Sequence, residues 1–549
     1  MQMLEKYFDT AFDAPDGIKK LRELILTLAI QGKLVPQDSS DQPASELLKE
    51  IEKEKEQLIK EKKIKKIAIQ SEIKTEKIDF EIPKSWEWVK FGNIAHQITD
   101  GAHHTPTYIN EGVPFLSVKD MSSGVLNFSN TRYISLEQHK DLAKRCNPQN
   151  GDLLLTKVGT TGIPILINTD KEFSIFVSVA LIKFPKQFIS GDFLVWLINS
   201  PFVKKQSADG TEGVGNKNLV LKKINNFTLL IPPLNEQKRI VEKINQLMAL
   251  CDELEKLKEQ KETKKLTVHK SAINQLLDSK DESNSQKGWH FISNHFNDLY
   301  TVKENVSELR SAILQLAMQG KLVPQDQNDQ PANELLKKLK KIKNIPAVNS
   351  NEMSFSLPQN WEWERIVNLG ITQTGTTPPK KDPDNYGNFI PFIGPGNIKN
   401  GVIDYSGEGL SEKGIEKGRL IEKDSILMVC IGGSIGKHAM TNQDISCNQQ
   451  INTITVYPEL LTQYVYWAMA SQYFQNTVIN QAGGSATPII NKLKWSSIPI
   501  PVPPYNEQQR IVEKINQLMA LCDDLEKQIE NSSSKQTQLL NAIMSNLGK

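Results

Sequence analysis

The feature that most constrains this chain is that it is written twice. Leu21 to Gln37 reads LRELILTLAIQGKLVPQ and returns 288 positions later, at Leu309 to Gln325, as LRSAILQLAMQGKLVPQ. Pro83, Trp86, Glu87 and Trp88 reappear 275 positions on as Pro358, Trp361, Glu362 and Trp363. Asn235 to Lys256, NEQKRIVEKINQLMALCDELEK, returns 271 positions on at Asn506 to Lys527, with only Lys238/Gln509 and Glu253/Asp524 exchanged. A proline pair precedes each copy of this last segment, Pro232-Pro233 and Pro503-Pro504. Self-similarity at a long period marks repeated structural units. The falling offset locates the insertions. Between the first two anchors the first copy carries 13 extra residues (288 against 275), which fall in the charged stretch Lys49 to Lys66. Between the second and third anchors the middle segments, 86–234 and 361–505, are 149 and 145 residues long and have diverged in sequence. The plan is a short helix, a variable domain and a long helix, used twice.

The frame is helical. Ile240, Ile244, Leu247, Cys251 and Leu254 are spaced four, three, four and three apart, and Ile511, Ile515, Leu518, Cys522 and Leu525 repeat the pattern. That is the a/d seam of a coiled coil. The proline pair blocks helix on the N-terminal side, and Asn235 or Asn506 is a good N-cap with a glutamate in the first turn. Two related seams in one chain predict that the long helices pair with each other, antiparallel; burial of each seam against its own neighbouring domain is the alternative. The short-helix repeat aligns Ile18, Leu21, Ile25 and Leu28 with Val306, Leu309, Ile313 and Leu316, and Gly32 and Gly320 stand where a C-terminal cap belongs. Lys49 to Lys66, with 13 charged residues in 18, reads as a solvated helix.

Composition narrows the class. At 38% hydrophobic and 24% charged residues the chain can build real cores, and 549 residues predict several domains. Sixty-six basic residues against 64 acidic leave +2, no global signal for nucleic acid. No apolar run reaches the length of a membrane span, and the N-terminus lacks the apolar core of a signal peptide. Five cysteines without a CxxC pair argue against disulfides and zinc clusters. A soluble, cytoplasmic protein is expected.

Each variable domain opens on a polar loop, TDGAHHTPTY at 99–108 and TQTGTTPPKK at 372–381. GVPFLSVKDM at 112–121 and FIPFIGPGNI at 389–398 follow, then GDLLLTKVGTTG at 151–162 and DSILMVCIGGSIGK at 424–437. Gly-rich loops, GTEGVGNKN at 210–218 and GGSATPIINK at 483–492, lead into the last strand. Short β segments between such loops predict mixed α/β domains with a curled sheet. Catalytic motifs are missing. Gly432, Gly436 and Lys437 have the wrong spacing for a phosphate-binding loop. Asn147-Pro148-Gln149-Asn150 lacks the second proline and the ring of an amino-methyltransferase motif. His103-His104 has no third ligand at metal spacing. Gly432-Gly433-Ser434-Ile435-Gly436 matches a nucleophile elbow as a bare pattern, without a placeable histidine or acid.

These repeats, with the GKLVPQ run, the paired Trp-Glu-Trp and the twice-used Pro-Pro-x-Asn-Glu-Gln-x-Arg-Ile-Val helix, resemble the specificity (S) subunit of type I restriction–modification enzymes. The likeness covers nearly the whole chain. It implies that each variable segment is a target recognition domain reading one half of a split, asymmetric double-stranded DNA sequence. It implies that the helices set the spacer and dock two methylation (M) subunits, and that restriction (R) subunits join to form the nuclease. Catalysis and S-adenosylmethionine would then lie on the methylation subunit, with no cofactor or metal on this chain.

The expected fold is α/β (α+β): two recognition domains with a curled β-sheet, joined by long antiparallel coiled-coil helices in a pseudo-twofold duplication. The expected boundaries are 1–80 for a helical extension with the first short helix, 81–234 for recognition domain 1, 235–345 for a central helical region, 354–505 for recognition domain 2 and 506–549 for the last long helix. Base edges are read by Arg or Lys at guanine, Asn or Gln at adenine and a Thr methyl at thymine. The polar loops offer His103, His104, Thr105, Lys119, Lys157, Thr160, Thr161, Asn216, Lys217 and Asn218 in domain 1. In domain 2 they offer Thr374, Thr376, Thr377, Lys380, Lys381, Asn397, Lys437, Ser485, Thr487 and Asn491. A phosphate contact or a solvated loop is the alternative for each. A four-residue insertion after Lys256 should change the spacing and leave both half-sites intact. A coiled-coil scaffold with two peptide-binding domains and a self-contained methyltransferase are the competing readings. Segment 86–234 has 15 basic and 12 acidic residues and segment 361–505 has 11 and 12, so tight grip on phosphates would have to come from partners.

Overall fold

The computed structural model describes all residues except 1–8, 11, 68–72, 74–79, 214–216, 278–281, 340–345, 485–486 and 548–549. The chain forms two compact units, residues 1–259 with 532–549, and residues 260–531. Among the described residues no helix is long and apolar enough to cross a membrane.

The first unit opens on α1 (Gly17–Ile30) and the charged α2 (Ala44–Lys60). Its variable domain contains β1 (Glu87–Lys90), β2 (Gln97–Asp100), β3 (Val113–Leu116), α3 (Leu136–Ala143), β4 (Leu153–Thr156), β5 (Pro164–Leu166), β6 (Ser174–Ile175) and β7 (Val179–Lys183). It continues through α4 (Gly191–Asn199), α5 (Pro201–Gly210), β8 (Thr211–Glu212), β9 (Asn218–Leu219) and β10 (Thr228–Ile231) to the 44-residue helix α6 (Leu234–Leu277). Strands β2-β7-β4-β5 form an antiparallel sheet, while β3 and β6 pair in parallel. β1 pairs with β10, Glu87 opposite Ile231, so the domain's first strand closes on its last.

The second unit repeats the order. Helix α7 (Lys303–Met318) leads to β11 (Glu362–Arg365), β12 (Gly370–Thr374), β13 (Phe392–Ile393), α8 (Glu412–Lys417), β14 (Ile426–Val429), β15 (His438–Met440), β16 (Ser446–Cys447) and β17 (Ile451–Val456). Helices α9 (Thr462–Ala470) and α10 (Gln472–Gln481), then β18 (Pro499–Val502), lead to the 43-residue α11 (Tyr505–Leu547). The sheet order is β12-β17-β14-β15, β13 pairs in parallel with β16, and β11 closes on β18.

Both faces of each sheet are buried, which is why the central strand reads as an unbroken apolar run rather than an alternation. Leu153 and Leu155 face a core shared with α4, whereas Leu154 faces a second core with Leu116, Phe173 and Ile175. Ile426 and Met428 repeat the first environment, and Leu427 and Val429 the second.

The three repeated anchors meet in space. Gly32 ends α1 at φ +66°, with Lys33 N–H donating to the Leu28 carbonyl at 2.9 Å; Gly320 does the same at φ +69° with Lys321 and Leu316. This is the left-handed cap that the two glycines predict. A Cβ at Gly32 would lie 2.3 Å from Pro83 Cγ, and one at Gly320 2.4 Å from Pro358 Cγ. The neighbouring Trp86 and Gln37 both donate to Glu236 of α6, as Trp361 and Gln325 do to Glu507 of α11.

The seam expectation is revised at its partner. Ile240, Ile244 and Cys251 are buried, with Leu247 partly so, in the core that holds Ile18 and Ile25 of α1. Ile511, Ile515 and Cys522, with Leu518 and Leu525 partly buried, share a core with Val306 and Ile313 of α7. Leu254 is 38% exposed. Each seam is therefore buried beside the short helix of its own copy, and the core of the α11 seam also takes in Ala272 and Ile273 of α6, so the two long helices share it. The pair is antiparallel: Lys258 reaches the Asp13 and Ala14 carbonyls, Arg22 reaches Asp252 and Glu255, and Gln37 reaches Glu236. In the other copy the series is Lys303–Glu530, Arg310–Asp523 and Gln325–Glu507. A heptad pattern states that a face is buried, and the short helix has its own matching apolar stripe to bury it.

Candidate nucleic-acid interface

In the first variable domain the polar loops converge beyond one end of the sheet. Gly159 N–H donates to the Lys217 carbonyl at 2.9 Å, Leu219 N–H to the Lys157 carbonyl at 2.7 Å, and the Thr161 and Thr211 hydroxyls lie 3.1 Å apart. The first loop starts at Gly101, where any Cβ would stand 1.9 Å from the Ile175 carbonyl oxygen, so only glycine lets it pass. At its head, Asp100 is buried beneath three cations or potential cations. Lys157 Nζ donates to its Oδ2 at 3.1 Å, His103 Nε2 lies 2.9 Å from its Oδ1, and Arg145 Nη2 donates to the same oxygen. Burial alone would push the Asp100 carboxyl up, but the hydrogen bonds from His103 and Lys157 outweigh it and hold it below the ordinary range.

The second domain builds the same scaffold with different chemistry. Gly432 N–H donates to the Pro488 carbonyl at 2.9 Å and Ile490 N–H to the Cys430 carbonyl at 3.0 Å, matching the two loop bonds above. Gly375 stands where Gly101 does, its Cβ position 2.2 Å from the Asn448 carbonyl oxygen. By strand register, Thr374 opposite Asn452 corresponds to Asp100 opposite Ala180. Here the charged pair is replaced by a neutral one: Thr374 Oγ1 and Asn452 Oδ1 are 2.7 Å apart. In place of Lys157 stands Cys430, whose thiol burial pushes up to about 12. Thr377 Oγ1 donates to Gln449 Oε1 at 2.5 Å, and Arg419 Nη1 to the Thr374 carbonyl at 2.8 Å.

The candidates from the sequence divide accordingly. His103, His104, Thr105, Thr160 and Lys217 are exposed at the loop cluster of domain 1, and Thr161 is half-buried there. Lys119 is exposed, with Nζ 3.4 Å from the Asn130 carbonyl. Lys157 is corrected: its side chain is 7% exposed and committed to Asp100, because a buried ammonium needs a carboxylate beside it. Asn218 is half-buried in the β8–β9 pair, opposite Glu212. In domain 2 Lys380, Lys381, Lys437 and Thr487 are exposed, and Thr374, Thr376 and Thr377 sit at the head of the first loop. Asn397 is half-buried, and its amide accepts from Gly394 N–H and donates to the Asp404 carbonyl, closing its own turn. Asn491 caps a short helix by accepting from Lys494 N–H at 2.9 Å. Asn216 and Ser485 lie outside the described residues.

The Gly-x-Ser-x-Gly stretch links β14 to β15, two adjacent antiparallel strands, whereas a nucleophile elbow joins a strand to a helix. Sequence reasoning missed Asp100, Arg145 and Arg419. Asp100 is the second residue of the first loop motif, but nothing local marks the arginines, which reach the cluster only through the fold.

The family described as "Type I restriction modification DNA specificity domain" matches residues 83–265 and 358–532, one match per copy of the repeat. The specificity subunit of the type I restriction enzyme EcoAI of Escherichia coli is 30% identical over 96% of this chain and 93% of its own length. That of EcoEI, also from Escherichia coli, is 27% identical over 96% and 93%. A solved chain from a study of type I restriction–modification complex assembly overlays at TM-score 0.49 and 16% identity, covering 86% of this chain and 99% of its own. The twin matches, the near-complete relatives and the duplicated mixed α/β domains on long helices agree: this chain belongs to the DNA specificity subunits of type I restriction–modification systems.

Proposed function

We propose that each variable domain reads one half of a bipartite, asymmetric DNA target, and that this chain contributes recognition without catalysis. The observation that carries this is the pairing of one scaffold with two chemistries. Equivalent positions hold Asp100, Lys157 and Ala180 in one domain and Thr374, Cys430 and Asn452 in the other. Above these unlike buried heads the exposed loop residues differ too, His103, His104 and Lys217 in one domain and Lys380, Lys381 and Lys437 in the other, so the two faces offer different groups to base edges. The helices carry the domains at a set spacing and dock two methylation subunits, which hold S-adenosylmethionine and flip out the base to be methylated. Restriction subunits complete the nuclease. Near-neutral charge supports a division of labour in which partners supply much of the phosphate grip.

The test is to express the full chain with its methylation subunits and map methylated bases across a genome. One split motif with unlike halves is expected, and replacing residues 361–505 by a second copy of 86–234 should yield two copies of one half-site. Methylation without a split motif, or a motif untouched by that replacement, would sink the reading. The isolated chain should bind DNA weakly with a shallow salt dependence, and the assembled complex tightly with a steeper one.

A further inference from the structure

Each variable domain contains two arginines. One of each pair is already engaged. Arg132 lies over the Tyr108 ring, 4.4 Å from its centroid, and Arg365 is buried against both carboxylate oxygens of Glu352 at 3.0 and 2.9 Å. Arg132, Arg145 and Arg419 are all exposed, but only two of them, Arg145 and Arg419, reach back to the first polar loop. They occupy the same place in the two domains. Both come from the segment after the helix α3 or α8, and both lean back onto the last residue of the sheet's first strand, Asp100 or Thr374. Each segment is tied to that strand by a glutamine, though from different positions: the Gln97 amide donates to the Arg145 carbonyl at 3.1 Å and the Gln373 amide to the Leu420 carbonyl at 3.5 Å. The residues around them differ in charge and size, yet the pinned guanidinium recurs.

Pinning engages one nitrogen of each. Among the described residues the Nε–Nη2 edge of Arg419 has no protein acceptor. On Arg145, His103 Nε2 lies 3.0 Å from Nη2 but donates to Asp100 and so does not accept, which leaves the second Nη2 hydrogen beside Nε or Nη1 to complete a fork. Donors left over on a guanidinium already held in place lose little rotamer freedom on binding.

We propose, resting on the function above, that Arg145 and Arg419 each read a guanine through O6 and N7 in the major groove, one in each half-site. Guanine alone offers that acceptor pair, and the guanidinium fork matches it.

The test uses the full chain assembled with methylation subunits, carrying Arg145→Gln, Arg145→Lys, Arg419→Gln or Arg419→Lys, with methylation read over a randomised DNA pool. Arg145→Gln should relax one G·C position in one half-site, with a loss of discrimination on the order of 10- to 100-fold. The other half-site and the spacing should stay unchanged, an internal control for folding. Arg419→Gln should mirror this in the other half, and the lysine variants should recover only part of the preference. The proposal fails if both motifs survive the glutamine variants, or if a whole half-site disappears rather than one base pair. It fails equally if methylation falls uniformly and lysine restores it, as a phosphate contact would. A wild-type complex with no split motif would instead sink the parent reading.

Discussion

Trp86 donates its indole N–H to Glu236 Oε2 across 3.0 Å, joining the entrance of the first variable domain to the start of its long helix. Gln37 occupies the other carboxylate oxygen at 2.5 Å. Trp361 and Gln325 bind Glu507 in the same way, at 2.9 and 2.6 Å. Three motifs far apart in sequence thus recur together because they satisfy one buried carboxylate. This explains why they keep their identity while the domains between them diverge.

Replacing Glu236 by Gln turns one acceptor into a donor facing another donor. The cost should be about 1–3 kcal/mol, read as a lower midpoint in urea unfolding. Burial raises the Glu236 pKa above its ordinary 4.5, outweighing the bonds from Trp86 and Gln37. A carboxyl raised in the folded state binds more protons folded than unfolded between those two values. Wild type should therefore gain on the variant as pH falls from neutrality toward 4.5, and an advantage that shrinks on acidification would contradict the assignment.

His269 and Tyr300 are bonded at 2.9 Å in the interior of the second unit. Their counterparts by the duplication offsets, Leu540 and Phe12, belong to an apolar cluster in the first. The pair has been exchanged as a pair. Tyr300→Phe alone should cost about 1–3 kcal/mol by stranding the imidazole, while His269→Leu with Tyr300→Phe should come close to wild type. Near additivity of the two single losses would refute the coupling.

Burial lowers the His269 pKa from 6.5 to about 4. The unfolded chain then binds more protons than the folded one across that window, so stability is full above pH 6.5 and is lost as pH falls through about 4. The double variant should lack this component of acid sensitivity in unfolding curves recorded between pH 4 and 7.

Asp100→Asn should be severe. It leaves the Lys157 ammonium buried without its carboxylate, and breaking a buried pair from one side costs about 3–5 kcal/mol. Asp100→Asn combined with Lys157→Met should recover much of that loss in thermal unfolding. No recovery would mean that the pair is not what holds the loop head.

Gly101→Ala and Gly375→Ala each place a methyl within 2.2 Å of a carbonyl oxygen. Each should cost about 1–3 kcal/mol by overpacking. In the assembled enzyme, each should impair recognition of its own half-site alone; equal damage to both halves would argue against independent reading.

The duplicated plan, the helix caps at Gly32 and Gly320 and the buried seams were legible because each is a local pattern whose physical demand is met within a few turns of chain. The polar loops were legible as a set, since Thr, Asn and Lys between glycines cannot be core. Their individual roles were not: Lys157 and Asn397 look like free donors in sequence and are spent on Asp100 and on a turn. Local patterns alone require two like units, apolar faces that must be covered and divergent loops that can differ in what they bind. Which helices meet at each seam, and the placing of Arg145 and Arg419 at matching points, follow from long-range packing. An apolar stripe demands a partner without naming it, and Arg145 meets Asp100 across 45 residues of intervening chain.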